Sequence, residues 1–501
     1  MQEVRRFVAM IFILASASVL AADPSPGILS TQSGGAFLFS STDHLLLSNS
    51  KDPDDPTAKP TNTLMHENTM RGEYREYSLG INFSNRWSPD GPQGVTAPFQ
   101  LEKKTGTAEF REWKIEIGDS HQELGRGIAL SLYRDPVFGL DNTVEGASVR
   151  YHPDHFDVAV FAGRVNTLHA PVAINPVLNP IEDRQVMIGG SSVKANVTED
   201  VKVGTHYVYT LNEPLALPVP DKRWHTVGTS LQIDNIAEGL DFYAESNILV
   251  TQLLTNGSVP VSNGYGSFGA LTWAPMPWIA KLEVKDYRAY NYDFRRPPTL
   301  EDDVVVTLNT QNVTAGRLWL EHRFDDPFAT VYASYLGGND REGRTTVLHH
   351  GLVGAKFHGL LHSEVEAKAG YRTLVTKETL AHASLKTKWR TAKGQFLELE
   401  YRKYKRVTNL DSTPTPEDRN QFLTTYTFNE KFNVSLGYEL VPTNPDTAGQ
   451  NFVNAGSTYK TGPLTAKAFV GQTSGGVICS GGVCRQVPPY TGAYLETTYV
   501  F

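Results

Sequence analysis

Apolar and polar residues alternate with a period of two along most of this chain. In residues 361–373, Val365, Ala367, Ala369 and Tyr371 share one parity, while His362, Glu364, Glu366, Lys368 and Arg372 share the other. Residues 379–390 set Ala381, Ala383, Leu385 and Trp389 against His382, Ser384, Lys386, Lys388 and Arg390. Residues 431–441 set Phe432, Val434, Leu436, Tyr438 and Leu440 against Lys431, Asn433, Ser435 and Glu439. A strand sends successive side chains to opposite faces, so the pattern predicts strands with one apolar and one charged face. Helical periodicity is scarce. The pattern yields 22 segments, from 73–85 to 491–501, with 125–133 among them. Most approach the ~9–11 residues that carry a tilted strand across a bilayer. Of 29 prolines, none lies inside a segment and only Pro463 touches one. Proline cannot donate to a ladder, so strand interiors exclude it.

The connections carry a second regularity. From residue 146 onward short ones, such as 153–154, 274–277, 391–393 and 461–462, alternate with long ones, such as 165–184, 211–223, 291–312, 406–418 and 473–490. Membrane barrels have short turns on one side and long loops on the other. The expected fold is therefore all-β: a transmembrane antiparallel up-and-down barrel of about 22 strands, within a range of 20–24. Both termini fall on the short-turn side, which requires an even count. Residues 73–501 form the expected barrel, and 23–72 a small periplasmic or lumenal segment. Two strands drawn from 23–72 would raise the count to 24.

Composition and charge sharpen this. Residues 1–22 have a basic start at Arg5 and Arg6, an apolar run from Phe7 to Leu14, and a cleavage site at Val19 and Ala21, with Ala22 an alternative end. They read as a cleaved secretory signal peptide. Without it the chain has 44 basic and 53 acidic side chains and a net charge of −9, which argues against a nucleic-acid partner. Mean hydropathy is −0.31, too low for a bundle of membrane helices. The two cysteines, Cys479 and Cys484, flank Gly481-Gly482 in an exported chain, so a local disulfide is expected. Tryptophans at segment ends, Trp87, Trp224, Trp273, Trp278 and Trp389, suggest interfacial girdles.

The chain ends ETTYVF, with Phe501 terminal and Tyr499, Thr497, Leu495 and Ala493 on its parity. This ending resembles the assembly signal of Gram-negative outer-membrane β-barrels. The resemblance implies export to the outer membrane and recognition by the barrel assembly machinery. Outer-membrane lipid and lipopolysaccharide would then surround the barrel. The stretch GRGIALSLYRDPVFGLDNTVEG, residues 125–146, also resembles a recurrent segment of a poorly characterised family of large outer-membrane barrels, without an assigned function. On the strand reading, Ile128, Leu130 and Leu132 face lipid and Arg126 lies at the interface.

A barrel this wide is expected to be a porin-like channel for solutes or ions. Its lumen would be lined by Glu364, Glu366, Lys368, Arg372, His382, Lys386, Lys388, Arg390, Glu398, Glu400 and Arg402. One alternative is a sheath for a lumenal or periplasmic partner such as a multihaem cytochrome, which would bring its own haem, since no C-x-x-C-H is present. Another is a secreted all-β binding protein. No catalytic site is expected, because the G-x-S-x-G elbow is absent. No cofactor or metal is expected either. His349 and His350 point to opposite faces of a strand, and His358 and His362 flank a turn. Acidic residues Glu301, Asp302 and Asp303 read as a solvated loop.

Overall fold

The structure is a computed structural model. It describes residues 29–30, 36–51, 61–74, 77–87, 99–135, 140–169, 184–214, 221–254, 261–290, 294, 298, 300, 312–325, 328–340, 346–360, 363–374, 378–408, 415–441, 450–474, 476–480, 483–487 and 490–500. The signal-peptide residues 1–22, Phe501, His362 and Glu301–Asp303 lie outside the described residues.

Twenty-four antiparallel strands form one closed sheet, each paired with its neighbours in sequence. Closure comes from the first barrel strand, Ala36–Lys51, pairing with the last, Tyr490–Val500, in a register running from Thr42↔Val500 to Lys51↔Thr491. Among the described residues there is no helix. Strands at ~4.8 Å spacing and ~40° tilt would make a circular barrel of this count roughly 45–50 Å across. Side chains alone cannot fill such a lumen.

Connections alternate as the sequence pattern requires. Short turns include Arg111–Glu112, Glu238–Gly239, 393–394 and Glu430–Lys431, while long connections include 121–139, 170–183, 289–312 and 474–489. The alternation of side chains also holds. In strand Glu378–Ala392, Ala381, Ala383 and Leu385 are exposed, whereas Leu380 and His382 are buried. Val353 is 59% exposed and Tyr371 55%, so the outer face presents unpartnered apolar side chains of the kind that hydrocarbon covers. Trp113, Phe156, Trp273, Trp278, Phe324, Phe328 and Tyr459 are exposed close to the short turns. Tyr207, Tyr265, Tyr335, Tyr371 and Tyr438 are exposed toward the opposite end. These are two interfacial aromatic belts, one rich in Trp and Phe and one in Tyr. Trp224 departs from the girdle expectation: it is 4% exposed and packs in the interior cluster.

The strand count differs from 22 for three physical reasons. First, Ala36–Lys51 and Thr61–Tyr74 are wall strands, so the barrel begins in residues that the alternation assigns to a separate segment. Their sequences hide this: AFLFSSTDHLLLSNSK runs apolar residues together, and TNTLMHENTMRGEY is polar on both parities. Second, residues 108–118 are not one strand. Phe99–Phe110 and Trp113–Ser120 meet at a tight reversal, with Phe110 opposite Trp113. The turn residue Arg111 takes φ +51° where glycine or asparagine would have marked the position. Third, residues 125–133 do not cross the membrane at all.

Candidate lumenal constriction

The third correction defines the site. Residues 121–139 connect neighbouring strands Trp113–Ser120 and Leu140–Tyr151 at the long-loop end. Gln122–Leu124 pairs with Leu130–Leu132 in a small ladder of its own, separate from the wall. The bend between them needs left-handed backbone at Gly125, φ +65°, and Gly127, φ +75°, a region that side chains with a Cβ disfavour. Ile128, Ala129, Leu130 and Leu132 are almost wholly buried. They belong to one apolar cluster with Val144, Phe161, Ile188, Val208, Trp224, Leu249, Phe268, Tyr287, Val313, Leu336 and Leu348, drawn from eleven consecutive wall strands. Eleven strands span roughly 50 Å of wall. A segment whose apolar side chains join the buried face of so broad an arc lies inside the barrel. The alternation of Ile128, Leu130 and Leu132 thus imitates a lipid face while burying in the lumen.

A second connection reinforces the first. Tyr290, Phe294 and Leu300, from 289–312, are buried in the same cluster. The Ser131 amide donates to the Phe294 carbonyl at 2.8 Å, and the Tyr290 hydroxyl to the Ile128 carbonyl at 3.2 Å.

The inward segment is fixed to the wall at Glu245, whose side chain is 0% exposed. Oε2 accepts the Arg126 backbone amide at 2.8 Å and the Tyr243 hydroxyl at 2.7 Å. Oε1 accepts Asn247 Nδ2 at 2.9 Å. The Asn247 Oδ1 in turn lies 2.6 Å from His206 Nε2. A buried carboxylate is tolerated only when donors satisfy it, and here the donors are neutral. Gly125 is required by this contact: a Cβ there would stand 1.9 Å from Glu245 Oε1. The Arg126 side chain is exposed, with its guanidinium carbon 3.7 Å from the Tyr243 ring centroid and 5.7 Å from that of Phe268. Arg126 is therefore a lumenal residue and not an interfacial one.

The other arc of wall carries the charged residues singled out by the sequence. Their parity is opposite to that of the exposed apolar side chains, as in Glu366 against Tyr371 and Lys386 against Leu385. Register brings six of them together across three strands: Glu366 faces Lys386, which faces Glu400, and Glu364 faces Lys388, which faces Glu398. Lys386 Nζ reaches Glu398 at 2.9 Å, Lys388 lies 4.9 Å over the Phe396 ring, and Arg402 pairs with Glu400 along its own strand. Lys368 opposes Ser384. Arg372, 2% exposed, pairs with Glu378, a partner the sequence reading passed over. His382 sits 3.0 Å from His350 rather than in the charged patch. Arg390 is exposed near the short turn and stands apart. The charges are thus mostly paired within the wall, where opposite charges on facing strands stabilise each other modestly.

His349 is exposed beside Tyr335 while His350 is buried, on opposite faces as expected. Among the described residues no three His, Cys, Asp or Glu side chains cluster as metal ligands would. Hairpin Gly476–Ser480 with Val483–Val487 places Cys479 directly opposite Cys484 in backbone register. Directly opposed cysteines can close a disulfide without moving the backbone. Thiol-specific alkylation of the denatured chain should label neither cysteine before reduction and both after it.

A family of unknown function, DUF6029, matches residues 378–501. No curated protein matches. Among solved structures, the chain is similar to the P pilus usher (PapC) translocation pore at 10% identity and TM-score 0.45, covering 92% of this chain and 99% of that one. The copper transporter OprC is similar at 13% identity and TM-score 0.49, with coverage of 92% and 80%. The siderophore receptor PirA from Pseudomonas aeruginosa is similar at 8% identity and TM-score 0.48, with coverage of 92% and 80%. The structural neighbours are outer-membrane barrels of Gram-negative bacteria.

Proposed function

We propose that this protein is an outer-membrane channel whose wide lumen is narrowed by its own inward-folded segment. The observation that carries the reading is the fixation of Gln122–Leu132 inside the barrel by Glu245. A segment held against one arc of a lumen this wide leaves the facing arc, with its hydrated paired charges, as the path for solutes. On this reading the short turns are periplasmic and the long loops extracellular, with lipid and lipopolysaccharide on the apolar outer face. The assembly machinery would read the last strand. The chain acts by passage of solutes and not by catalysis. The sheath alternative needs an unobstructed lumen, and the buried segment with Tyr290, Phe294 and Leu300 occupies part of it.

The test is reconstitution in planar bilayers under a salt gradient. The wild type should conduct. Lys386→Glu with Lys388→Glu adds negative charge beside Glu366, Glu398 and Glu400 and should shift the reversal potential toward cation selectivity. A reversal potential unchanged by both substitutions would contradict lumenal placement of this patch, and absence of conductance would contradict the channel.

A further inference from the structure

We propose that Arg126 is the selectivity element of the constriction and recognises small solutes that carry a carboxylate. The inference rests on the channel reading above and adds a substrate class to it.

The local design separates the arginine's two functional parts. Its backbone amide is used to fix the segment to Glu245. Its side chain is not used for that purpose, because Glu245 is already satisfied by that amide, Tyr243 and Asn247. Among the described residues no carboxylate forms an ion pair with the guanidinium. Its Cζ lies 3.7 Å over the Tyr243 ring centroid, with that of Phe268 5.7 Å away, its charge also acts on the Tyr243 hydroxyl, and the residue is exposed. Gly125 and Gly127, both left-handed, bracket it, and its side chain stays exposed between neighbours that are buried or half-buried.

A guanidinium stacked on an aromatic face keeps its charge and its planar fork while losing conformational freedom. Donors that the ring and the Tyr243 hydroxyl do not engage stay open to a solute. An edge-on, in-plane pair of N–H donors matches the two oxygens of a carboxylate. This differs from the cations of the other arc, where Lys386 and Arg402 are engaged by Glu398 and Glu400.

The experiment records single-channel potassium chloride current with succinate monomethyl ester, a monocarboxylate, added on one side. The wild type should show transient block. Arg126→Gln preserves the backbone amide and both glycines, and block, measured as a fraction of each channel's own open current, should weaken by at least about tenfold. Arg126→Lys, a charge without the planar fork, should fall between them. Equal block in wild type and Arg126→Gln, or no block of a conducting wild type, would overturn the inference and leave the channel reading standing. Inorganic phosphate blocking as strongly as the monocarboxylate would overturn the carboxylate assignment. A wild type that conducts no potassium chloride would overturn both.

Discussion

Glu245→Ala should convert the channel from a narrow, steady conductor into a wider and noisier one. The carboxylate accepts three buried donors at 2.7 to 2.9 Å: Tyr243 hydroxyl, the Arg126 amide and Asn247 Nδ2. Without it each donor is left unsatisfied at a cost of about 1–3 kcal/mol. The wall cannot relieve that cost, because Tyr243 and Asn247 sit on a strand paired along both edges. The segment can, by moving away so that water reaches the donors. The expected readout is a several-fold rise in conductance with increased open-channel noise, while heat-modifiable gel mobility stays that of a folded barrel. Gly125→Val should act from the opposite partner. Its Cβ would meet Glu245 Oε1, and its φ of +65° disfavours a branched side chain. Wild-type conductance in both variants would show that Glu245 does not hold the segment.

The outer half of this design was readable from sequence, and the inner half was not. Lipid facing one side and water the other impose strict alternation, so strands such as Phe432–Val441 and Glu378–Ala392 announce themselves. The charged parity that carries Glu366, Lys386 and Glu400 follows from the same rule. Strand Thr61–Tyr74 escapes because its outward residues include His66 and Asn68, which give no apolar contrast. The reversal at Arg111 escapes because its turn lacks a turn residue. The inward segment misleads for a deeper reason. Ile128, Leu130 and Leu132 alternate with the smaller Ala129 and Ser131, yet all five are buried, and alternation of size alone does not tell lipid from a lumenal core. The Gly-Arg-Gly run at 125–127 was the signal for a bend, and Glu245 has no sequence mark at all. Its importance comes from Arg126, 119 residues away in the chain.

Excision of the inward segment gives the second large effect. Replacing residues 122–132 with a short Gly-Ser link removes Ile128, Leu130 and Leu132 from the lumen and leaves the wall ladders intact, since that segment pairs only with itself. Strands Trp113–Ser120 and Leu140–Tyr151 are neighbours in the sheet, so a short link can join them. Apolar wall residues such as Val144, Phe161 and Leu249 would become wet at ~25 cal/mol per Å² exposed, a cost the closed ladder should withstand. The most direct measurement is therefore single-channel conductance of this variant beside the wild type, in the same bilayer and salt. The account predicts a stably folded barrel with conductance several-fold above wild type and entry of larger neutral polymers. Equal conductance and an equal polymer cutoff in the two proteins would contradict a lumen narrowed by this segment.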